Sequence, residues 1–164
     1  MKLQEMYGIN RQFKKGDGSI YNPKYLDEAI KDKNLLNALL IAQNNIEILL
    51  RYIYCYGIVV PRGNITTQKL KTVDNPQFKR LANLCKELIG INSHDKIIKF
   101  NKLRKRIHTI VVPDQFKGEE SLFFQEIEKT KTICEDLFTI FFKILQRRNR
   151  MTTNQIKSPP KTFI

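Results

Sequence analysis

Phe100–Ile110, Phe-Asn-Lys-Leu-Arg-Lys-Arg-Ile-His-Thr-Ile, is the stretch from which the rest of the chain is read. As a helix it places Phe100, Leu103, Ile107 and Ile110 at steps of three, four and three, an apolar stripe suited to burial. Asn101, Arg104 and His108 form a second stripe beside it by the same kind of step. A guanidinium and an imidazole therefore lie one above the other at the edge of an apolar face. Arg grips phosphate with a planar fork of donors, and His titrates near neutral pH. Together they suit a phosphodiester. The plainer reading is a solvated Arg104 and a His108 near the negative pole of a helix end.

Working outward from that helix, Ser93 is a cap for its start, with Lys96 where a capping box would place an acid, and Pro113 forbids its continuation. Upstream, Asn75-Pro76 signals the start of a helix that buries Phe78, Leu81, Ala82, Cys85, Leu88 and Ile89 and stops at Gly90. Ile58–Val73 reads as a loop. Before it, Asn34–Tyr56 is a long helix with a stripe of Leu35, Leu36, Leu39, Leu40, Ile46, Leu49, Leu50 and Ile53, stopped by Gly57. Glu47 and Arg51 form an i,i+4 pair in the favourable order, either a surface bridge or a pair close to a neighbouring helix. Asn22-Pro23 starts a short helix to about Lys31 that buries Tyr25, Leu26 and Ile30. Downstream, Asp114–Gly118 is a loop. Glu119–Gln146 is the longest helix, with Phe123, Ile127, Cys134, Leu137, Phe138, Phe141, Ile144 and Leu145 on one stripe. The expected fold is all-α, an antiparallel bundle of about four to five helices. Its expected parts are an irregular arm over 1–21, a bundle over 22–146 and a basic, extended tail over 147–164.

The 164 residues fit one domain, and 41% hydrophobic residues allow one core. The formal charge of +13 is unevenly placed. Residues 1–60 carry 8 basic and 6 acidic side chains, net +2; residues 61–118 carry 13 and 4, net +9; residues 119–164 carry 8 and 6, net +2. A basic field concentrated in the middle is the footprint of a polyanionic partner. Arg80, Lys99, Lys102, Lys105 and Arg106 are the candidate nucleic-acid contacts within it.

Cys55, Cys85 and Cys134 are far apart and sit in apolar patterns, so buried free thiols in a reducing compartment are expected. The most apolar run, Leu35–Leu50, is interrupted by Asn37, Gln43, Asn44, Asn45 and Glu47 and falls short of a membrane span. No secretory leader is read at the start. A soluble, cytoplasmic protein with no membrane association is expected. The seven glycines form no phosphate-cradling loop, two histidines and three scattered cysteines have no zinc spacing, and no serine sits in a nucleophile elbow. No metal and no cofactor is therefore expected. His94-Asp95 reads as decoration of a helix start.

Leu103-Arg104-Lys105-Arg106-Ile107-His108 resembles the Arg-polar-x-x-His signature late in the bundle of HEPN-superfamily domains. Leu39–Gly57, Leu-Leu-Ile-Ala-Gln-Asn-Asn-Ile-Glu-Ile-Leu-Leu-Arg-Tyr-Ile-Tyr-Cys-Tyr-Gly, resembles the early helix of that family, in which a Glu-x-x-Leu pattern leads to a basic residue. The resemblance covers roughly 22–146. Lys105 stands where the family usually has Asn, Asp or His, and the three residues between Arg104 and His108 are fewer than in its nucleases. The resemblance implies an all-α bundle, often a two-fold dimer. Many members are metal-independent endoribonucleases of toxin or defence type, others binding modules for nucleotides, RNA or proteins such as an antitoxin. In the nuclease version Arg104 holds the scissile phosphate and His108 transfers a proton as the ribose 2′-hydroxyl attacks; Asn101, on their stripe, is the third candidate catalytic residue. A C2 dimer supplies the second acid–base group from the partner copy. The three residues are expected to line a groove edge, with basic neighbours rimming an anion-ready cleft. The other expectation, from a different class, is a non-catalytic module that engages nucleic acid or a protein through its basic face.

Overall fold

A computed structural model describes residues 23–59, 77–109 and 118–156, with side chains described through Ile107 in the second span and Arg148 in the third. All the regular structure in these residues is helical: α1 (Lys24–Lys31), α2 (Leu35–Tyr54) with a π-helical turn (Cys55–Val59), α3 (Phe78–Thr109), α4 (Glu120–Glu128) and α5 (Thr130–Ile156). The expected arm over 1–21, most of the loop over 58–73, the Asn75-Pro76 start and Pro113 lie outside the described residues.

α2 is the centre of the bundle, and α1, α3, α4 and α5 all pack on it. Its buried side chains, from Ala38 and Leu39 through Ala42, Ile46, Leu49, Leu50 and Ile53, are fully enclosed. They recur at the helical period, which is why this segment is a helix and why it is central. Leu36 and Leu40, placed on the stripe by their residue type, are instead 56% and 53% exposed. They fall beyond the arc that the neighbouring helices cover. Tyr25 departs from its expected burial in the same way, at 61% exposed, while Leu26 and Ala29 carry the buried face of α1. Leu88, also expected to be buried, is 37% exposed.

Pro23 starts α1, its carbonyl accepting from the Leu26 and Asp27 amides at 3.0 Å each. The helix ends in a Schellman arrangement: the Lys33 amide donates to the Ile30 carbonyl, and the Asn34 amide donates to the Ala29 carbonyl, both at 3.1 Å. Lys33 takes the left-handed position, with φ of 54°. Asn34 then caps α2, its side chain accepting from the Asn37 amide at 3.1 Å.

Gly57 does not stop α2. The helix widens into the π turn and carries on to Val59. A Cβ at Gly57 would lie 2.5 Å from Leu88 Cδ1 and 3.2 Å from Ile144 Cδ1, so this glycine serves the close approach of α3 and α5. Gly90 does break its helix, as its residue type suggests: φ of 78° and ψ of 161° divide α3 into 78–89 and 91–109. His94, expected as decoration of a helix start, instead ties the two halves. Its Nε2 lies 2.8 Å from Asn83 Oδ1 across the break, with the ring buried.

The last expected helix is two. α4 ends at Glu128, and α5 begins at Thr130, whose buried hydroxyl donates to the Ile127 carbonyl. The expected extended tail from 147 is also corrected: α5 runs on to Ile156. No glycine or proline interrupts it before Pro159, and Arg148 lies over the Tyr56 ring at 5.5 Å. Tyr52, Tyr56 and Phe141 form the aromatic centre where α2 meets α5, with ring centroids 5.3 and 5.7 Å from Phe141. No helix among the described residues is long and apolar enough to cross a membrane.

Candidate nucleic-acid interface

The second half of α3 presents Lys96, Lys99, Lys102 and Arg106 at steps of three, three and four, which align them along one face. Phe100 and Leu103 lie between them. Opposite stands the junction of α4 and α5, at Lys129 and Thr130. The two walls enclose an open cleft of about 590 Å³. Its floor is apolar, from Phe100, Leu103 and Ile133, and its rim carries five cations, the four of α3 and Lys129. Glu126 is the single carboxylate in the lining. The cleft lining therefore has a formal charge of +4, five cations against one acid.

Three of the five cations have carboxylate partners. Lys129 bonds Glu126. Lys96 lies 3.6 Å from Asp136 on α5. Arg106 donates to Glu119, just before α4, at 2.8 Å and stacks 5.6 Å from the Phe123 ring centroid. The hydrogen bond from Lys129, aided by the fields of Lys129 and Lys99, holds the Glu126 carboxyl below its ordinary range. Glu126 therefore stays ionised under mildly acid conditions.

The second stripe has a different environment. Asn101 is 4% exposed, and its Oδ1 has no hydrogen-bond partner among the described residues. Arg104 is half-buried, with its guanidinium carbon 5.7 Å from the centre of the Phe78 ring. Its Nε is buried with no acceptor among the described residues. Phe78 meets Phe100 edge-on, with centroids 6.3 Å apart. Neither Asn101 nor Arg104 lines the cleft. The backbone of His108 continues the helix, while its side chain lies outside the described residues. Lys99, Lys102 and Arg106, three of the expected nucleic-acid contacts, do line the cleft. Lys105 and Arg80 are exposed and stand outside it.

Lys96, Lys129 and Ile133 line the cleft beyond the residues expected from the sequence. Lys96 was legible in principle, because it continues the Lys99–Lys102 step backwards. Lys129 and Ile133 were not, because they face the cleft through a helix break that no glycine or proline announces.

Glu47 and Arg51 bond one another, with side chains only 23% and 14% exposed. That low exposure sets aside the solvent-exposed surface bridge. All three cysteines are buried and free. Burial pushes the Cys55 thiol up to about 11 and the Cys85 and Cys134 thiols up to about 12, which leaves them unreactive as nucleophiles. Among the described residues no group of three or more His, Cys, Asp or Glu side chains could hold a metal ion. No family model, no curated protein and no solved structure matches this chain.

Proposed function

We propose that this chain is an RNA-directed helical domain of HEPN-like type, which holds the RNA backbone in the cleft between the second half of α3 and the α4–α5 junction. The observation that carries the reading is the row of cations over an apolar floor. Cations at helical spacing track a phosphate backbone, and an apolar floor accepts the faces of bases or sugars. The +9 middle segment supplies the long-range field that draws the polyanion in. The binding reading is stronger than the catalytic one, because the lysines open to the cleft while Asn101 is buried.

Fluorescence anisotropy with a labelled RNA tests it. With about four phosphates neutralised, affinity falls roughly fifty-fold as salt rises from about 50 to about 200 mM. Lys99→Gln combined with Lys102→Gln weakens binding and flattens that salt slope. Salt-independent binding, or none, overturns the reading and moves the cleft to an acidic protein partner, such as an antitoxin.

A second reading, a metal-independent endoribonuclease of toxin or defence type, is favoured by one observation. Arg104 Nε is a buried donor without an acceptor among the described residues, and a phosphate oxygen would supply one once the side chain swings outward. In this version two copies bring two Arg104/His108 sets to one cleft across a two-fold axis. RNA cleavage in EDTA that is lost in His108→Ala supports it. A strict monomer at moderate salt, with and without an uncleavable RNA, removes it.

A further inference from the structure

Lys129 is paired to Glu126 within the cleft lining, whereas the cations at the two ends of the α3 row are paired to carboxylates outside it. At one end Lys96 faces Asp136 at 3.6 Å; at the other Arg106 faces Glu119 at 2.8 Å. Neither carboxylate lines the cleft. Each comes from a different element and stands beside a cleft cation. Between them Lys102 has no carboxylate partner among the described residues. Lys99 is only within the field of Glu126. The latched cations are ten residues apart on the same helix half, or about 15 Å at the helical rise of 1.5 Å per residue.

We infer that Asp136 and Glu119 are carboxylate latches on the two ends of the cleft, so that full occupancy requires one extended polyanion to displace both, and short anions are confined to the middle. The inference rests on the reading of the cleft as a polyanion site. An entering phosphate replaces the carboxylate on Lys96 or Arg106 with an equivalent charge, so each exchange is nearly neutral at its cation. The released carboxylate then lies close to the incoming chain and repels it. That repulsion is an affinity penalty at each end, which a chain held by the middle cations overcomes and an anion confined to the middle never meets. All four latch side chains are between 41% and 59% exposed, so the pairs open without unfolding.

The experiment measures binding of the full chain to two probes: a labelled RNA oligonucleotide long enough to cross the cleft, followed by anisotropy, and inorganic pyrophosphate, followed by calorimetry. The variants are Asp136→Asn, Glu119→Gln and the two combined. Glu87→Gln, an exposed acid on the other half of α3, controls for net charge. Each latch variant tightens RNA by about two- to fivefold, the worth of an exposed ion pair. The combined variant multiplies the two effects, because the sites are too far apart to couple. Glu87→Gln and all pyrophosphate affinities stay within about twofold. RNA affinities no tighter than in Glu87→Gln, or pyrophosphate gaining as much as RNA, overturn the latches and leave the RNA reading standing. RNA that binds to no form of the chain overturns both.

Discussion

Asn101 and Lys102 are adjacent in the chain and opposite in environment. Asn101 is enclosed, with a carbonyl oxygen that has no partner among the described residues, on the side where Arg104 lies over Phe78. Lys102 is exposed on the side where Leu103 and Phe100 floor the basic cleft. One helix thus carries a packed polar stripe and an open cationic one, about 100° apart for each residue of rise. The difference separates two kinds of contribution. Changes on the packed stripe alter stability first. Changes on the open stripe alter binding first and leave stability nearly untouched.

The largest effect expected lies beneath the packed stripe. Phe78→Ala removes the ring under Arg104 and the partner of Phe100, and Phe78 is 4% exposed. A loss of about 3–5 kcal/mol in urea unfolding is expected for such a truncation. A loss below about 1 kcal/mol, the range of surface substitutions, would show that the stripe is not packed and would collapse the comparison.

Asn101 sharpens it further. Asn101→Asp puts an unpaired charge in an enclosed position and costs about 3 kcal/mol at neutral pH. Asn101→Leu removes a buried acceptor that has no described partner, and ranges from neutral to about 1 kcal/mol stabilising. Both are read from denaturant midpoints. If Asn101→Leu instead costs several kcal/mol, the oxygen is bonded in solution and the stripe is a polar network.

Gly90 tests how the two halves of α3 are held. Its φ and ψ lie in a region essentially reserved for glycine, and nothing lies within 4 Å of a Cβ placed there. Gly90→Ala therefore costs about 1–3 kcal/mol through the backbone alone. An unchanged midpoint would mean that the break is not maintained in solution and that His94 bridges nothing.

These residues also show what was legible. The all-α class, the central α2 and the break at Gly90 follow from apolar period and one glycine, signals that are local. The burial of Leu36, Leu40 and Tyr25 was misjudged because period identifies a face but not the width of the arc that neighbours cover. The break at Thr130 left no mark in composition. The Thr130 hydroxyl there bonds the Ile127 carbonyl, as many threonines do within helices, so the residue type does not announce the junction. Because that break forms the far wall of the cleft, half of the candidate site was invisible while the α3 half was plain. Asn101 and Arg104 lie on one side of α3, but helical spacing alone does not say which side another helix or ring will cover.

Titration separates the interior from the cleft in a second way. The three thiols are raised from an ordinary value near 9 to about 11 or 12 by burial. Their stabilising contribution is complete below about pH 9 and is lost as pH rises through the folded values. Glu126 is shifted down, so its contribution is present above the unfolded carboxyl pKa and is lost as pH falls through the depressed folded value. Melting temperature against pH should therefore fall first on the alkaline side, together with the onset of thiol labelling. Labelling at neutral pH in the folded state would place the cysteines at the surface.

The smallest expected change in stability belongs to Lys102→Ala. The side chain is exposed, ends in no carboxylate among the described residues and sits between two apolar floor residues without being enclosed by them. Its removal shifts the unfolding midpoint by less than about 0.5 kcal/mol. Binding behaves differently. If Lys102 neutralises one phosphate of a single strand, the slope of log affinity against log salt falls by about 0.7. The loss in affinity is then greatest at low salt and fades as salt rises, because it is an electrostatic loss and not a packing one. Arg104→Ala gives the reverse pattern, a measurable loss of stability from the lost stacking on Phe78 and a salt slope that stays in place. A variant pair that crosses in this way assigns the open stripe to the ligand and the packed one to the fold. Equal salt slopes in both variants would return Arg104 to the phosphate, and with it the ribonuclease reading.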